Sequence, residues 1–313
     1  MTISEAAELY VAHKRSLGMQ CTTMARILRA FSRAMGNVDL TAVHEISARA
    51  FVMGSGPITS NLHSKLSVLR GFYRYLLARG HIGRSPLPTV VPKEPEPLVP
   101  YIYSRAELRR IVDAGYRQRF SCKIEDVAMH ALLLLLYGAG LRISEALRLT
   151  LADIDWEHRV LTIRETKFYK TRLVPVGRDL FRIMGRYLAR RRERRHPEKP
   201  DLPFLMTRQG VILNIQLAEL SFKRLCEVAT VRRTDGSRFG PRLHDLRHSF
   251  AVHRLTTWYQ QGADVQRLLP QLSTFLGHVD IGSTQRYLTM TPELLQSASV
   301  RFERYGAPGV SHD

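Results

Sequence analysis

RVLTIRETKFYKTRLVPVG, residues 159–177, departs from the helical periodicity of the rest of the chain. Two runs rich in Val, Leu, Ile and Thr flank a basic centre, the pattern of a β-hairpin. Outward from it, periodicity turns helical. Before the hairpin, Ser104 caps a helix beginning RAELRRIV, Lys123–Tyr137 forms an apolar helix that stops at GAG (138–140), and another helix starts near Arg142. After the hairpin come a very basic helix (RIMGRYLARRRERR) and helices near 216–229 and 241–259. The expected class is therefore mostly α with a small antiparallel β-sheet (α+β).

Further upstream, six prolines fall within SPLPTVVPKEPEPLVP, residues 85–100. Proline removes backbone donors and biases the preceding residue away from helix, so an extended linker is expected. The residues before it read as a helical bundle. Ser4 is expected to cap a first helix carrying Ala7, Leu9, Tyr10 and His13. A second spans about Thr22 to Met35, with Met24, Ile27, Leu28 and Phe31 on one face, and a short third covers Ser47–Met53. The clearest, Ser60–Arg79, places Leu62, Leu66, Leu69, Phe72, Tyr73 and Leu76 on one stripe, with Gly80 as its C-cap and Lys65, Arg70, Arg74 and Arg79 off it. The expected division is a helical domain over 1–84, a linker over 85–103, a second domain over 104–290 and a tail helix over 291–313. Thr291-Pro292-Glu293 starts that tail with an N-cap threonine and an N1 proline.

The charge balance points to a polyanion. Lys and Arg number 47 against 28 acidic residues, a net +19, divided as +6 over residues 1–100 and +13 over the rest. Each phosphate neutralised by such a surface releases condensed counterions. The three cysteines, Cys21, Cys122 and Cys226, are scattered and odd in number, so neither a disulfide framework nor a cysteine zinc site is expected. MTISEAAELYVAHK lacks a signal-peptide pattern, and ALLLLLYGAGL is about half a membrane span. A soluble, reducing, cytoplasmic setting with no membrane partner is expected.

Four basic clusters could carry chemistry: GLRISEAL with Arg142 and Glu145, TKFYKTR with Lys167, HDLRH with His244 and Arg247, and LGHVDIGSTQRY with His278 and Tyr287. Each alone has an ordinary structural explanation, as a surface pair, a hairpin tip, a solvated helix or a core tyrosine. In this order, GLRISEAL, TKFYKTRLVPV, HDLRHSFA and LGHVDIGSTQRY resemble the catalytic motifs of the tyrosine recombinases, the phage integrase family. The helical N-terminal part resembles that family's core-DNA-binding domain. The resemblance implies Tyr287 as nucleophile, Arg142 and Arg247 as phosphate clamps, Lys167 as general acid, His244 and His278 assisting, and Glu145 supporting the first arginine. Lys170 competes with Lys167, because the family's usual glycines are replaced by Thr166 and Phe168; register favours Lys167. His248 is expected to be a packed structural histidine rather than a supporting group.

The chemistry is coherent without the family name. In-line displacement at a phosphodiester builds charge on the non-bridging oxygens, which two permanently charged, planar guanidiniums can bind. A tyrosine of pKa about 10 attacks only where its surroundings favour the phenolate. No cofactor or metal is expected, and no acidic pair is placed for two metals. The partner implied is double-stranded DNA with a specific crossover site. The chain would be a monomer or dimer when free and a homo-tetramer on DNA, with room for accessory recombination proteins. In the family a tail such as 291–313, which carries Leu294, Leu295, Val300 and Phe302, docks on the neighbouring subunit; the alternative packs it on its own domain. LLPQLSTFLGH and YLTMTPELL resemble integrases of mobile elements, which implies integration, excision or transposition rather than chromosome resolution. Recognition of distant arm-type sites is not expected.

Two other functions fit parts of the pattern. A type IB topoisomerase uses one tyrosine and basic partners but reseals a single duplex. HDLRH also matches a zinc-hydrolase motif, with His244 and His248 at i, i+4, Asp245 as base and His278 as third ligand. Arg247 inside that motif would repel a dication.

Overall fold

The structure, a computed structural model, describes residues 1–56, 58–93, 98–117, 123–164, 171–237, 239–278, 280–290, 294–296 and 298–299. Lys167, Lys170 and most of the tail lie outside the described residues. The chain forms two compact units, one over Met1–Leu98 and one that starts at Val99.

The first unit is built from α1 (Ile3–Ser16), α2 (Thr22–Met35), α3 (Glu45–Met53) and α4 (Ser60–Ala78). Its first cap is Thr2, not Ser4: Thr2 Oγ1 accepts from Glu5 N–H at 3.3 Å, and Glu5 Oε2 accepts from Thr2 N–H at 2.8 Å. This reciprocal capping box satisfies two donors at once, and the Ser4 N–H is taken by Asn37 Oδ1 at 2.9 Å. Of the residues read onto this helix, Ala7 and Tyr10 face inward, with Ile3, Ala6 and Val11, whereas Leu9 is exposed. The α4 stripe of Leu62, Leu66, Leu69, Phe72, Tyr73 and Leu76 is buried in full. Each of these side chains contributes about 2 kcal/mol by its burial, within a core shared with α1, α2 and α3. Of the off-stripe cations, Lys65 turns inward, donating to the Phe51 carbonyl at 2.9 Å and covering its ring.

The second unit centres on α6 (Asp126–Gly138), a helix apolar on nearly all sides and therefore buried. Around it lie α5 (Arg105–Arg117), α8 (Arg178–Glu193) and α10 (Leu243–Gln260), with α7 (Ile143–Arg148) and α9 (Ile215–Val228) completing the layer. Ser104 caps α5 through a box with Glu107. Beside the helices is a three-stranded antiparallel sheet, β1 (Ile154–Asp155), β2 (Val160–Ile163) and β3 (Arg172–Pro175). The hairpin is β2–β3, in a register that pairs Leu161 with Val174 and Ile163 with Arg172. Leu161, Ile163 and Val174 enter the core, and the short β1 was not foreseen in the sequence. The unit is mostly α with a small sheet.

A second apolar cluster joins α10 to α11 (Val265–Leu276) and the 3₁₀ turn Arg286–Thr289, which follows the short α12 (Gly282–Gln285). It contains Phe250, Leu255, Leu269, Leu272, Leu276, Tyr287 and, from the tail, Leu294. Among the described residues, no helix is long and apolar enough to cross a membrane.

Candidate active site

Arg142 is the N-cap residue of α7, and Glu145 stands three residues on, so the helix's first turn brings them together. Glu145 Oε2 accepts the Arg142 N–H at 2.9 Å, and Oε1 accepts Arg142 Nη1 at 2.6 Å. The same carboxylate receives a two-pronged contact from Arg172, at 3.1 and 2.8 Å, from the start of β3. Arg247 Nη1 lies 3.9 Å away. Burial pushes the Glu145 carboxyl up, but the hydrogen bonds and charges of Arg172 and Arg142 hold it down at about 2. Three guanidiniums thus share one carboxylate, a surplus of two positive charges.

The guanidiniums are anchored otherwise by backbone carbonyls, which fix position without cancelling charge. Arg247 is 1% exposed and donates to the carbonyls of Gly140 and Leu276, both at 2.6 Å. Arg142 Nη2 donates to the Gly277 carbonyl at 2.9 Å, and Arg172 Nε to that of Phe275 at 2.9 Å. Burial, followed by the charge of Arg142, lowers the Arg247 guanidinium to about 10, still protonated at neutral pH. Two glycines make the cradle possible. Gly277 closes α11 at φ +68°, and a Cβ there would lie 2.6 Å from Arg172 Nη1. Gly140 has φ +60°, and its Cβ would meet the Phe250 ring at 2.8 Å and Leu276 Cδ2 at 2.9 Å. Gly140→Ala is expected to cost about 2–4 kcal/mol, from left-handed strain plus overpacking, measured by denaturant unfolding.

Tyr287 faces this cradle from the 3₁₀ turn and is 2% exposed. Its Oη is 3.1 Å from Nδ1 of His248. His244, one turn before His248 on α10, meets it edge to face with centroids 4.8 Å apart. The ring of His278 stacks at 6.0 Å and 27° on Tyr287, its Nδ1 2.7 Å from Thr284 Oγ1. Burial raises the Tyr287 phenol while Arg247 and Arg142 pull it back, and burial wins. The phenol therefore keeps its proton at neutral pH, the arginines only partly offsetting its burial.

The imidazoles are neutral too. Burial and then the neighbouring His244 and Arg247 lower His248 to about 3; burial and then Arg247 lower His278 to about 4. His244 is lowered for the same reasons. The unfolded chain takes up these protons near pH 6.5, so acid stabilises the unfolded state first. The second unit's melting temperature is expected to fall as pH drops from about 6.5 to about 4, by roughly 3–5 °C per unit. In a His248→Asn, His278→Asn variant that slope should flatten in a calorimetric pH series.

The part of the chain that carries these residues matches a known family. The phage integrase family model fits residues 104–293. The chain belongs to the phage integrase family, that of the tyrosine recombinases. It is 36% identical over 308 residues to integrase/recombinase y4rB of Sinorhizobium fredii, covering 97% of this chain and 98% of that protein. To the tyrosine recombinase XerC of Myxococcus xanthus it is 34% identical over 244 residues, covering 74% and 72%. Among solved structures, the Tn1549 transposon integrase in complex with a circular intermediate DNA shares the fold. Its TM-score is 0.70 at 18% identity, covering 97% of this chain and 99% of that one. XerH site-specific recombinase bound to a palindromic difH substrate gives 0.60 at 19% identity, covering 89% and 77%. As a tyrosine recombinase the chain is an enzyme of DNA strand breakage and rejoining.

Arg142, His244, Arg247, His278 and Tyr287 come together around the Glu145 node, whereas Lys167 lies outside the described residues. Two neighbours escaped the sequence reading. Arg172 was visible only as the last letter of TKFYKTR; its ladder pairing with Ile163, at the end of the hairpin, was the available signal. His248, expected to be a packed structural histidine, reaches the phenol oxygen through Nδ1. The zinc-hydrolase reading requires a water-facing Asp245. That carboxylate is fully buried and caps α10, accepting Arg242 N–H at 3.0 Å and Arg242 Nη2 at 2.7 Å.

Proposed function

We propose that this recombinase cuts DNA at a specific crossover site with Tyr287 as nucleophile, forming a 3′-phosphotyrosyl intermediate. The observation that carries it is the surplus of two positive charges, held by backbone carbonyls beside one buried phenol. Such a cage is short of an anion, and a phosphodiester in displacement supplies one whose charge grows toward the transition state. Arg247 and Arg142 bind the non-bridging oxygens through planar forks. Neutral His244 and His278 donate hydrogen bonds without adding charge. The Tyr287 oxygen attacks phosphorus, the bond to the 5′ oxygen breaks, and the leaving oxygen takes a proton from a hairpin lysine. Lys167 is assigned that role by family resemblance, with Lys170 as the competitor. The new ester conserves the energy of the broken one, so a second 5′-hydroxyl reverses the step without ATP.

The wider reading assigns the strand exchange to integration, excision or transposition of a mobile element. The helical unit over residues 1–98 is a second DNA-contacting module, and four protomers act together on two duplexes. The net positive charge of both parts of the chain supports salt-dependent backbone affinity.

The test is a nicked duplex built from the chain's native genomic flanks, incubated with wild-type protein in EDTA. A covalent protein–DNA species should appear on a denaturing gel, and the released fragment should carry a 5′-hydroxyl that kinase can label directly. A released 5′-phosphate would contradict the 3′-linkage.

A further inference from the structure

We propose that His248 is the base that takes the proton from Tyr287 as the phenol attacks. The proposal rests on Tyr287 being the nucleophile and goes beyond it, since the family resemblance gives His248 no role.

The hydrogen bond at the phenol has one possible direction. The Tyr287 phenol is neutral, so its Oη carries a hydrogen that must point at an acceptor. Among the described residues two groups reach that oxygen: Nδ1 of His248 at 3.1 Å, and the Arg247 guanidinium, which sits close enough to draw its ionisation down. Arginine has only donors. The phenol proton therefore points at His248, whose Nδ1 must be the unprotonated nitrogen, with the hydrogen on Nε2. A neutral imidazole with its lone pair on the nucleophile's hydrogen is the geometry a general base needs.

Three further features fit. Arg247 and His248 both reach the Tyr287 hydroxyl, so a phosphate seated on that guanidinium lies beside both the phenol and the base. The groups facing His248 are His244, Arg247 and Arg242 from its own helix, His278 from the segment after α11, and Tyr287 from the 3₁₀ turn. None of them is a carboxylate, so the imidazole stays unprotonated at rest. A bound phosphate offsets the guanidinium charge and raises the basicity of His248 when it is needed. His278 is placed differently: its Nδ1 is taken by Thr284 Oγ1, and its ring stacks on the phenol face rather than meeting the hydroxyl edge.

The step balances. The proton passes from Tyr287 Oη to His248 Nδ1, the Oη–phosphorus bond forms, and the phosphorus–O5′ bond breaks. The 5′ oxygen leaves with the hairpin lysine's proton. In the reverse step the His248 imidazolium returns its proton to the departing phenolate.

His248→Asn separates this role from packing, because its amide oxygen can still accept a hydrogen bond but cannot accept the proton. Single-turnover cleavage of the nicked duplex should fall about 100-fold or more at pH 7. The variant's rate should then climb with pH between 7 and 9, as hydroxide replaces the imidazole. Fluorinated tyrosine at position 287, whose phenol ionises more readily, should restore much of the rate in His248→Asn. Cleavage by His248→Asn within about threefold of wild type would overturn the proposal. So would a loss that is flat with pH and unmoved by fluorotyrosine, because that marks a positional role. Covalent product from Tyr287→Phe, run alongside, would instead overturn the nucleophile assignment.

Discussion

Tyr287→Phe should abolish covalent joining to DNA while leaving the protein folded and able to bind its duplex. The substitution removes one oxygen from a side chain that is 2% exposed, and the ring keeps its contacts with His278 and the α10–α11 cluster. What it loses structurally is the bond to His248 Nδ1, worth about 1 kcal/mol. A shift in melting temperature of a few degrees is therefore expected, alongside a loss of the covalent species to below detection. The assay must follow both, because a variant that melted far below wild type would speak to folding rather than to chemistry. Binding by gel shift should match wild type within a few-fold, since the guanidiniums are untouched.

Arg247→Ala is expected to be nearly as severe, slowing single-turnover cleavage by about 10³-fold or more. The guanidinium offers the phosphate a charge that no carboxylate contact closer than 3.9 Å offsets. It also ties the turn after α6 to the C-terminal end of α11, through the carbonyls of Gly140 and Leu276. Deleting it leaves two buried acceptors without a donor, at roughly 1–3 kcal/mol each. Arg247→Lys separates the two contributions. Lysine restores a charge but not the planar fork that reaches both carbonyls, so partial recovery of rate with poor recovery of stability is expected. Equal recovery of both would mean that charge alone matters at this position.

The helical content of the chain was largely legible. Stripes such as that of α4 fold as their spacing predicts, because burial of one apolar face outweighs other local preferences. Boundaries were less so. Thr2 rather than Ser4 caps α1 because its hydroxyl and Glu5 satisfy each other, which needs the residue two positions earlier. In α11, Val265, Leu269, Leu272 and Leu276 follow helical spacing, but Pro270 inside it argues locally against a helix; packing against α10 overrides this. The two-residue strand β1 is too short to show alternation at all.

The candidate site was legible as residue types in order, but not as a network. Arg142 and Glu145 are close in sequence, so their pairing could be read from helical spacing. Arg172 reaches the same carboxylate across 27 residues, a distance that no local pattern encodes. His248 sits at i, i+4 from His244 and looked like filler, since only the fold shows that Tyr287 returns to that turn of α10. Nor does sequence show that burial outweighs the arginines at the phenol. That balance depends on how completely the 3₁₀ turn tucks Tyr287 inward.

The central claim is that DNA is joined to Tyr287 and to no other side chain. The most direct measurement is to trap the covalent complex on the nicked duplex, digest it with protease and nuclease, and map the nucleotide-bearing peptide by mass spectrometry. The account predicts a single adduct, a 3′-nucleotide esterified to the Tyr287 oxygen in the segment around STQRYL. An adduct on another tyrosine, such as Tyr259, or on a serine or histidine, would contradict it.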